Sequence, residues 1–154
     1  MSENIDPVKA AEMLADCVAS VFADMAFIDV QKSETAAAVE DERCVAIDVL
    51  APVSCRIELR ISRELRDKIV ENLFGEAPDS VQKKNGEDSI LEMLNIVTGA
   101  FLSAYFGTGT EIQLELPQYL YFEEQSSGNA VAKVFMTAEG EPLNITLSSV
   151  RYRY

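Results

Sequence analysis

The sequence contains no histidine and no tryptophan among its 154 residues. Imidazole is the usual general base beside serine and cysteine nucleophiles and a common zinc ligand. Its absence excludes Ser-His-Asp and Cys-His catalysis, histidine-ligated zinc and a phosphohistidine relay. Two short acidic runs, 40–42 and 123–124, are typical of solvated loops rather than of metal ligands. No metal site is therefore predicted in this chain.

Positive charge is also scarce, with 13 lysines and arginines against 26 aspartates and glutamates and a formal net charge of -13 at pH 7. Proteins that bind nucleic acids neutralise phosphates with lysine and arginine. Anionic membrane surfaces attract the same cations. The charge therefore argues against both nucleic acid and a membrane surface as partners.

Cysteine occurs only three times, as Cys17, Cys44 and Cys55, and never in a C-x-x-C pair. An odd number of unpaired cysteines is typical of a reducing compartment. Isolated cysteines among apolar neighbours usually serve as small buried hydrophobic residues. The first six residues are acidic and lack the basic region of a signal peptide. We therefore expect a cytoplasmic protein.

Long hydrophobic runs are rare, and the one candidate covers residues 93–110, which carry no charge. That length is about the minimum for crossing a bilayer. The run contains several small or polar residues, and the chain as a whole has a mean hydropathy of only +0.03. We therefore predict a buried helix rather than a membrane span.

Hydrophobic residues make up 48% of the chain and charged residues 25%, which is typical of a globular protein. We predict one domain over residues 1–154. Apolar periodicity and capping residues predict three helices, over residues 7–25, 63–74 and 88–106. Residues 76–87 are rich in polar and turn-forming types and predict a surface loop.

Alternating apolar residues predict the strands. A hairpin is expected over residues 44–50 and 55–61, and a second over 130–137 and 143–152 around a turn at 139–142. Shorter strands are expected over 27–31 and over 111–116 up to Pro117, with 119–122 continuing the latter and 123–129 forming a turn. Each half of the chain is then a long helix followed by antiparallel strands. The predicted fold class is α+β, with long helices packed on one antiparallel sheet.

The third helix has two distinct sides when its residues are placed at about 100° intervals. One side is an apolar stripe of Ile90, Leu94, Val97, Phe101 and Tyr105. The opposite side is a polar stripe of Asp88, Glu92, Asn95, Gly99 and Ser103. A glycine inside a helix costs about 1 kcal/mol relative to alanine and favours close approach of another backbone.

Glu92 and Asn95 are three residues apart in this stripe, so their side chains point the same way. A carboxamide can hold a water molecule through its oxygen, and a carboxylate can pair with a cation on a partner. Neither group is a good nucleophile alone, so the pair suits a site that a second protein completes. The alternative interpretation is the solvated face of an amphipathic helix, because E-x-x-N is common by chance.

The spacing Asp88-x-x-x-Glu92-x-x-Asn95-x-x-x-Gly99 resembles the signature helix of the CheC/CheX/FliY family of chemotaxis phosphatases. The order of parts is also similar from about Val45 onward. It comprises a hairpin, a helix that begins after Ser62 and ends in Leu73-Phe74-Gly75, a polar loop, the signature helix and a strand that meets Pro117.

The resemblance implies an enzyme that removes the aspartyl phosphate of a CheY-like response regulator. It implies that Asn95 orients the attacking water and that Glu92 pairs with a lysine in the receiver's active site. Asp88 and Gly99 would then contact the partner. The chain itself would bind no cofactor, and Mg²⁺ would belong to the receiver.

The first helix partly repeats the third, because Glu12-Met13-Leu14-Ala15 matches Glu92-Met93-Leu94-Asn95 in three of four residues. Family members are similar in having two pseudo-symmetric halves, and some carry the Glu/Asn pair in both. Ala15 stands here where the amide would be. The resemblance therefore implies one site, as in CheX, rather than the two of CheC.

A second functional class stays open, a non-catalytic module that docks a receiver or a flagellar-switch component without hydrolysis. The cognate receiver cannot be read from the sequence. Sheet edges invite pairing, and CheX-like relatives join their sheets, so a homodimer is expected. Arg60, Arg63 and Arg66 form a basic cluster that we interpret as exposed surface arginines.

Overall fold

The computed structural model of the protein describes residues 5–34, 36–39, 42–120 and 130–149. The elements over these ranges run in the order α1 (Pro7–Ala26), β1 (Val30–Lys32), β2 (Arg43–Ala51), β3 (Cys55–Ile61), α2 (Arg63–Phe74), α3 (Ser80–Phe106), β4 (Gln113–Leu114), β5 (Gln118–Leu120), β6 (Ala130–Ala138) and β7 (Glu141–Ser149).

These strands form one antiparallel sheet in the order β1-β6-β7-β3-β2-β4, and β5 also pairs with β2. The order is symmetric about the central pair of β7 and β3. β1 from the first half lies beside β6, and β4 from the second half lies beside β2. The α+β prediction with pseudo-two-fold halves is therefore confirmed.

The core lies between the sheet and helices α1 and α3, which pack side by side on one sheet face. Alternate strand residues point into it because side chains of a strand alternate between faces. The buried strand residues include Val45, Ile47, Ile57, Leu59, Ile145 and Leu147. A single domain over residues 1–154 stays a prediction.

Helices α1 and α3 run antiparallel, as one contact between their ends shows. Asp6 is the N-cap of α1, and its side chain accepts hydrogen bonds from the Val8 and Lys9 amides. Its own backbone N–H donates to the Tyr105 hydroxyl, near the end of α3, at 2.9 Å. The Lys9 ammonium lies 4.7 Å from the centre of the same ring. The start of α1 therefore lies beside the end of α3.

The loop predicted over residues 76–87 is right only for 76–79, because α3 begins at Ser80 rather than at residue 88. Asp79 caps the helix in a reciprocal capping box. Its side chain accepts from the Gln82 amide at 2.8 Å, and the Gln82 side chain accepts from the Asp79 amide at 3.0 Å. Residues 80–87 instead form two helical turns whose polar side chains are mostly exposed.

Several strand boundaries also differ from prediction. Phe27 ends α1 in the left-handed conformation, with φ 58°, so β1 begins at Val30. The strand expected over residues 111–116 is reduced to β4, because Pro117 has no N–H to donate to a ladder and pairing resumes only at Gln118. The second hairpin turns at Glu139 and Gly140, both with positive φ. The predictions for residues 121–129 and 150–154 lie outside the described residues.

All three cysteines have free thiols, with Cys44 and Cys55 buried and Cys17 half-buried. Burial raises the pKa of Cys44 and of Cys55 to about 12, which suits the structural role expected of them.

The arginine cluster is only partly on the surface, so the prediction for it is wrong at two positions. Arg63 is exposed, but Arg60 pairs with the buried Glu58 at 2.7 Å. The Arg66 side chain is 13% exposed and pairs with Glu87 and Asp67.

Helix α3 is long and apolar enough to cross a membrane, and it is the one such helix among the described residues. In the fold, its apolar side packs against α1, α2 and β2. Ile90, Leu94, Val97 and Phe101 are all at most 1% exposed. This is the packing of a core helix, as predicted.

Candidate functional site

The polar stripe of α3 lies on the surface of the molecule. Asp88, Glu92 and Asn95 are exposed, whereas Gly99 and Ser103 are half-buried. The stripe faces away from the sheet because helical periodicity places it opposite Ile90, Leu94 and Val97, which are fixed in the core. The structure therefore brings a carboxylate and a carboxamide together on one accessible helix face.

Neither Glu92 nor Asn95 makes a side-chain hydrogen bond or ion pair with another described residue of this chain. An ion pair at such a surface position would add only about 0–1 kcal/mol of stability, so the lack of one costs the fold little. Both groups are available to a second molecule, which is the condition for a site completed by a partner.

Ile96 shares this surface and was not singled out from the sequence. It directly follows Asn95 and is 40% exposed, although most other isoleucines described here are buried. Ile96 follows Glu92 by four residues, so helical spacing alone would have placed the two side by side on the surface. An exposed isoleucine beside polar groups is suited to contact an apolar part of a partner.

The two glycines of α3 have opposite surroundings. A Cβ atom added to Gly86 would lie 2.5 Å from a methyl carbon of Val70, so Gly86 is required for α2 to pack closely. A Cβ atom added to Gly99 would have no neighbour within 4 Å. The fold of this chain therefore gives no reason for a glycine at position 99.

The segment of α1 that matches Glu92 to Asn95, residues 12–15, does not present both of its end positions to solvent. Glu12 is exposed like Glu92, but Ala15 is only 1% exposed. The residue that corresponds to Asn95 thus lies in the core rather than on the surface. At the position that matches Asn95, α1 therefore offers neither an amide nor an exposed side chain.

A further set of contacts joins the start of the stripe to two other elements, and the sequence did not predict it. The Arg66 guanidinium contacts the Glu87 carboxylate at 2.5 Å. The Tyr119 hydroxyl donates to the Glu87 backbone carbonyl at 2.8 Å. We call Arg66, Glu87 and Tyr119 the Glu87 brace.

Among the described residues, no group of three Asp, Glu or Cys side chains is placed to hold a metal ion. The absence of a metal site in this chain stays a prediction.

Residues 43–139 match the model of the family described as chemotaxis phosphatase CheX. This chain belongs to the CheX family. The matched segment runs from the start of β2 to the end of β6, so it includes all of α3 and its polar stripe. The resemblance to the CheC/CheX/FliY family, and to CheX within it, is therefore confirmed.

Solved structures share the fold across nearly their whole length. CheX from Vibrio vulnificus has a TM-score of 0.72 at 14% identity, with 91% of this chain and 98% of that chain covered. The CheX chain in the CheX-CheY-BeF3-Mg+2 complex from Borrelia burgdorferi has a TM-score of 0.69 at 17% identity, with 94% and 97% covered. Thermotoga maritima FliY is more distant, with a TM-score of 0.53 at 15% identity and coverage of 91% and 90%. At these identities the likeness shows the fold alone.

A comparison of the sequence with curated proteins gives no significant match.

Proposed function

We propose that this protein hydrolyses the aspartyl phosphate of a CheY-like receiver domain. The observation that carries the proposal is the exposed pair of Glu92 and Asn95, which has no partner among the described residues, in a chain of the chemotaxis phosphatase CheX family. The structurally similar CheX from Borrelia burgdorferi is seen in a complex with CheY, which supports a receiver as the partner class.

Asn95 supplies the orientation of the nucleophile in this proposal. Its side-chain oxygen accepts a hydrogen bond from a water molecule and holds that water in line with the phosphorus atom. The water oxygen attacks phosphorus, and the bond between phosphorus and the aspartyl oxygen breaks. The products are inorganic phosphate and the free carboxylate of the receiver.

Glu92 has a positioning role, because its carboxylate would pair with a lysine of the receiver's active site. Such a pair is removed from water when the two proteins meet, so it fixes the register of the complex, and loss of one partner leaves the other charge buried and unpaired. The Mg²⁺ ion of the reaction would be held by the receiver, and this chain would contribute no ligand to it.

The remaining stripe residues would form the contact surface around this pair. Asp88 offers an exposed carboxylate one turn before Glu92. Gly99 leaves open space beside the helix one turn after Asn95, so a receiver loop can approach the backbone closely. Ile96 provides an apolar contact between them. We place this reaction in the cytoplasm, a reducing compartment that suits the three free cysteines.

We also propose that the protein forms a two-fold homodimer through the outer edge of β6. β1 pairs only with Met136, Thr137 and Ala138 of that strand, and Ser33 donates to the Phe135 carbonyl. Nothing in the described ranges pairs with residues 130–134 on this side. A groove of about 460 Å³ runs between this edge and the first turns of α1, where Val8 is 69% exposed. A strand from a second copy of the chain would pair with the backbone N–H and C=O groups of this edge and cover the groove.

Phosphate release under turnover conditions tests the enzymatic proposal. The protein is added in trace amounts to candidate receivers that carry a phosphorylated aspartate, and free phosphate is followed over time. Many phosphates released per protein molecule support an enzyme. Stoichiometric protection of the phosphorylated receiver, or no change in its decay, would instead indicate the non-catalytic docking module.

A further inference from the structure

The Glu87 brace connects three elements at one point of α3. Arg66 comes from α2, and its side chain is 13% exposed. It holds the Glu87 carboxylate with one nitrogen and the Asp67 carboxylate with another, at 2.9 Å. Tyr119 comes from β5 and donates to the Glu87 carbonyl. The side chain and the backbone of one helical residue are thus fixed from two directions.

The Tyr119 hydroxyl is a permanent donor. Burial raises its pKa well above the ordinary value, and the nearby Glu87 and Asp88 carboxylates add to the rise. The phenol therefore stays protonated at neutral pH and well above it. Its hydrogen bond to the Glu87 carbonyl is not lost by titration.

The brace lies where the polar stripe begins. Glu87 directly precedes Asp88 and stands five residues before Glu92, which is little more than one helical turn. Gly86, its other neighbour, packs its backbone against Val70 so closely that no side chain fits between them. The helix is therefore held on both elements just before the residues that face the partner.

Such external support matters because Glu92 and Asn95 have no partners of their own among the described residues. Their positions are set only by the backbone of α3. Reacting groups must be held within a fraction of an ångström, and a misplacement of about 1 Å can cost roughly 100-fold in rate. Contacts that fix the axis and rotation of α3 therefore also fix the position of the water molecule that Asn95 orients.

We propose that Arg66 and Tyr119 are positioning residues that act through Glu87 to hold Asn95 in register with the phosphoryl group. This inference rests on the proposed phosphatase function. Neither residue touches the receiver in this account. Their loss should lower kcat, and it should also raise KM for the phosphorylated receiver to the extent that Glu92, on the same stretch of α3, is displaced.

Tyr119→Phe is the first test, because it removes the hydroxyl and keeps the ring. Tyr105→Phe is its matched control, since that hydroxyl also makes one 2.9 Å hydrogen bond to a backbone group, at the opposite end of α3. We expect Tyr119→Phe to lower kcat about tenfold and Tyr105→Phe to leave it within twofold. Equal losses in the two variants would overturn the proposal.

Arg66→Gln and Arg66→Lys form the second test. The glutamine removes the charge, whereas the lysine keeps one contact with the Glu87 carboxylate, so we expect lysine to restore most of the kcat that glutamine loses. Wild-type kcat in folded Arg66→Gln would overturn the proposal. Melting curves identify any variant that fails to fold, and Tyr119→Phe then decides the question.

Amide hydrogen exchange of the protein alone separates this inference from the phosphatase proposal. We expect Tyr119→Phe to speed exchange over residues 88–95 and to leave residues 101–106 unchanged. If the wild-type protein released no phosphate but the exchange result held, the enzymatic proposal alone would fail. If the wild type were active and exchange at 88–95 were unaltered in the variant, the brace would be refuted while the function stood.

Discussion

At the scale of single residues, Glu92 and Asn95 differ in what they can contribute. An amide that orients water acts mainly in the transition state, whereas a carboxylate paired with a lysine acts on binding as well. Both positions are exposed, so we expect substitution at either to leave the fold intact and to report on function.

Glu92→Ala should therefore weaken receiver binding as well as turnover. Removing one partner of an interfacial charge pair costs about 2–5 kcal/mol, so we expect at least a 30-fold loss of affinity. Titration of the variant with phosphorylated receiver measures it, with melting curves as the control for folding. Unchanged affinity in a folded variant would show that Glu92 does not pair with the receiver.

The two glycines of α3 give a paired prediction. Gly86→Ala introduces a Cβ against Val70, and overpacking of this kind costs about 1–3 kcal/mol. Gly99→Ala meets open space and should gain up to about 1 kcal/mol from helix propensity. Thermal melting should therefore move in opposite directions for the two variants.

Gly99→Ala should nevertheless weaken binding of the phosphorylated receiver, because a partner backbone that approaches position 99 would meet the new methyl group. A binding titration on this stabilised variant measures the effect. Full retention of affinity would remove Gly99 from the partner surface.

At the scale of elements, the periodic parts of the sequence predicted the structure best. Helix α1 and the hairpin of β2 and β3 have boundaries within one residue of prediction, because capping at Asp6 and alternation at Val45, Ile47 and Ile57 are local signals. The exposed stripe of α3 was predictable for the same reason.

The elements that sequence reasoning missed depend on weaker local signals or on distant residues. The first two turns of α3 are polar, so they lack an apolar stripe, and only the capping pair of Asp79 and Gln82 marks them. The Glu87 brace joins residues 21 and 32 positions apart in the chain. Only the packing of α2 and β5 against α3 brings them together.

The α1 helix yields a prediction about the number of sites. Ala15 is buried, so Ala15→Asn would place an amide in the core and should cost about 1–3 kcal/mol without adding turnover. Glu12→Ala, on the exposed side, should leave phosphate release near the wild-type rate. Phosphate assays with melting curves on both variants measure this. A large loss of turnover in folded Glu12→Ala would contradict the single-site account.

At the scale of the whole molecule, the sheet edge at β6 predicts the assembly. Because Phe135 accepts from Ser33 on the outer side, alternation along the strand places the Lys133 N–H outward as well. Lys133→Pro should therefore remove a donor from the proposed dimer contact and leave the ladder with β7 intact.

Light scattering at tens of micromolar, an order-of-magnitude concentration for such contacts, should give a dimer for the wild type and a monomer for Lys133→Pro. A wild-type monomer under these conditions would exclude the dimer. Helix α1 packs against β6, whereas α3 packs against β2, so phosphate release per chain should survive the change.

If the exposed side of α3 performs the hydrolysis, steady-state kinetics of Asn95→Ala show it most directly. Orientation of a nucleophile is typically worth about 10²–10⁴-fold. We expect kcat to fall at least 100-fold while KM for the phosphorylated receiver stays nearly constant. Asn85→Ala, the same change at an exposed position of the same helix, should behave as wild type. Near-wild-type turnover in folded Asn95→Ala would contradict the account.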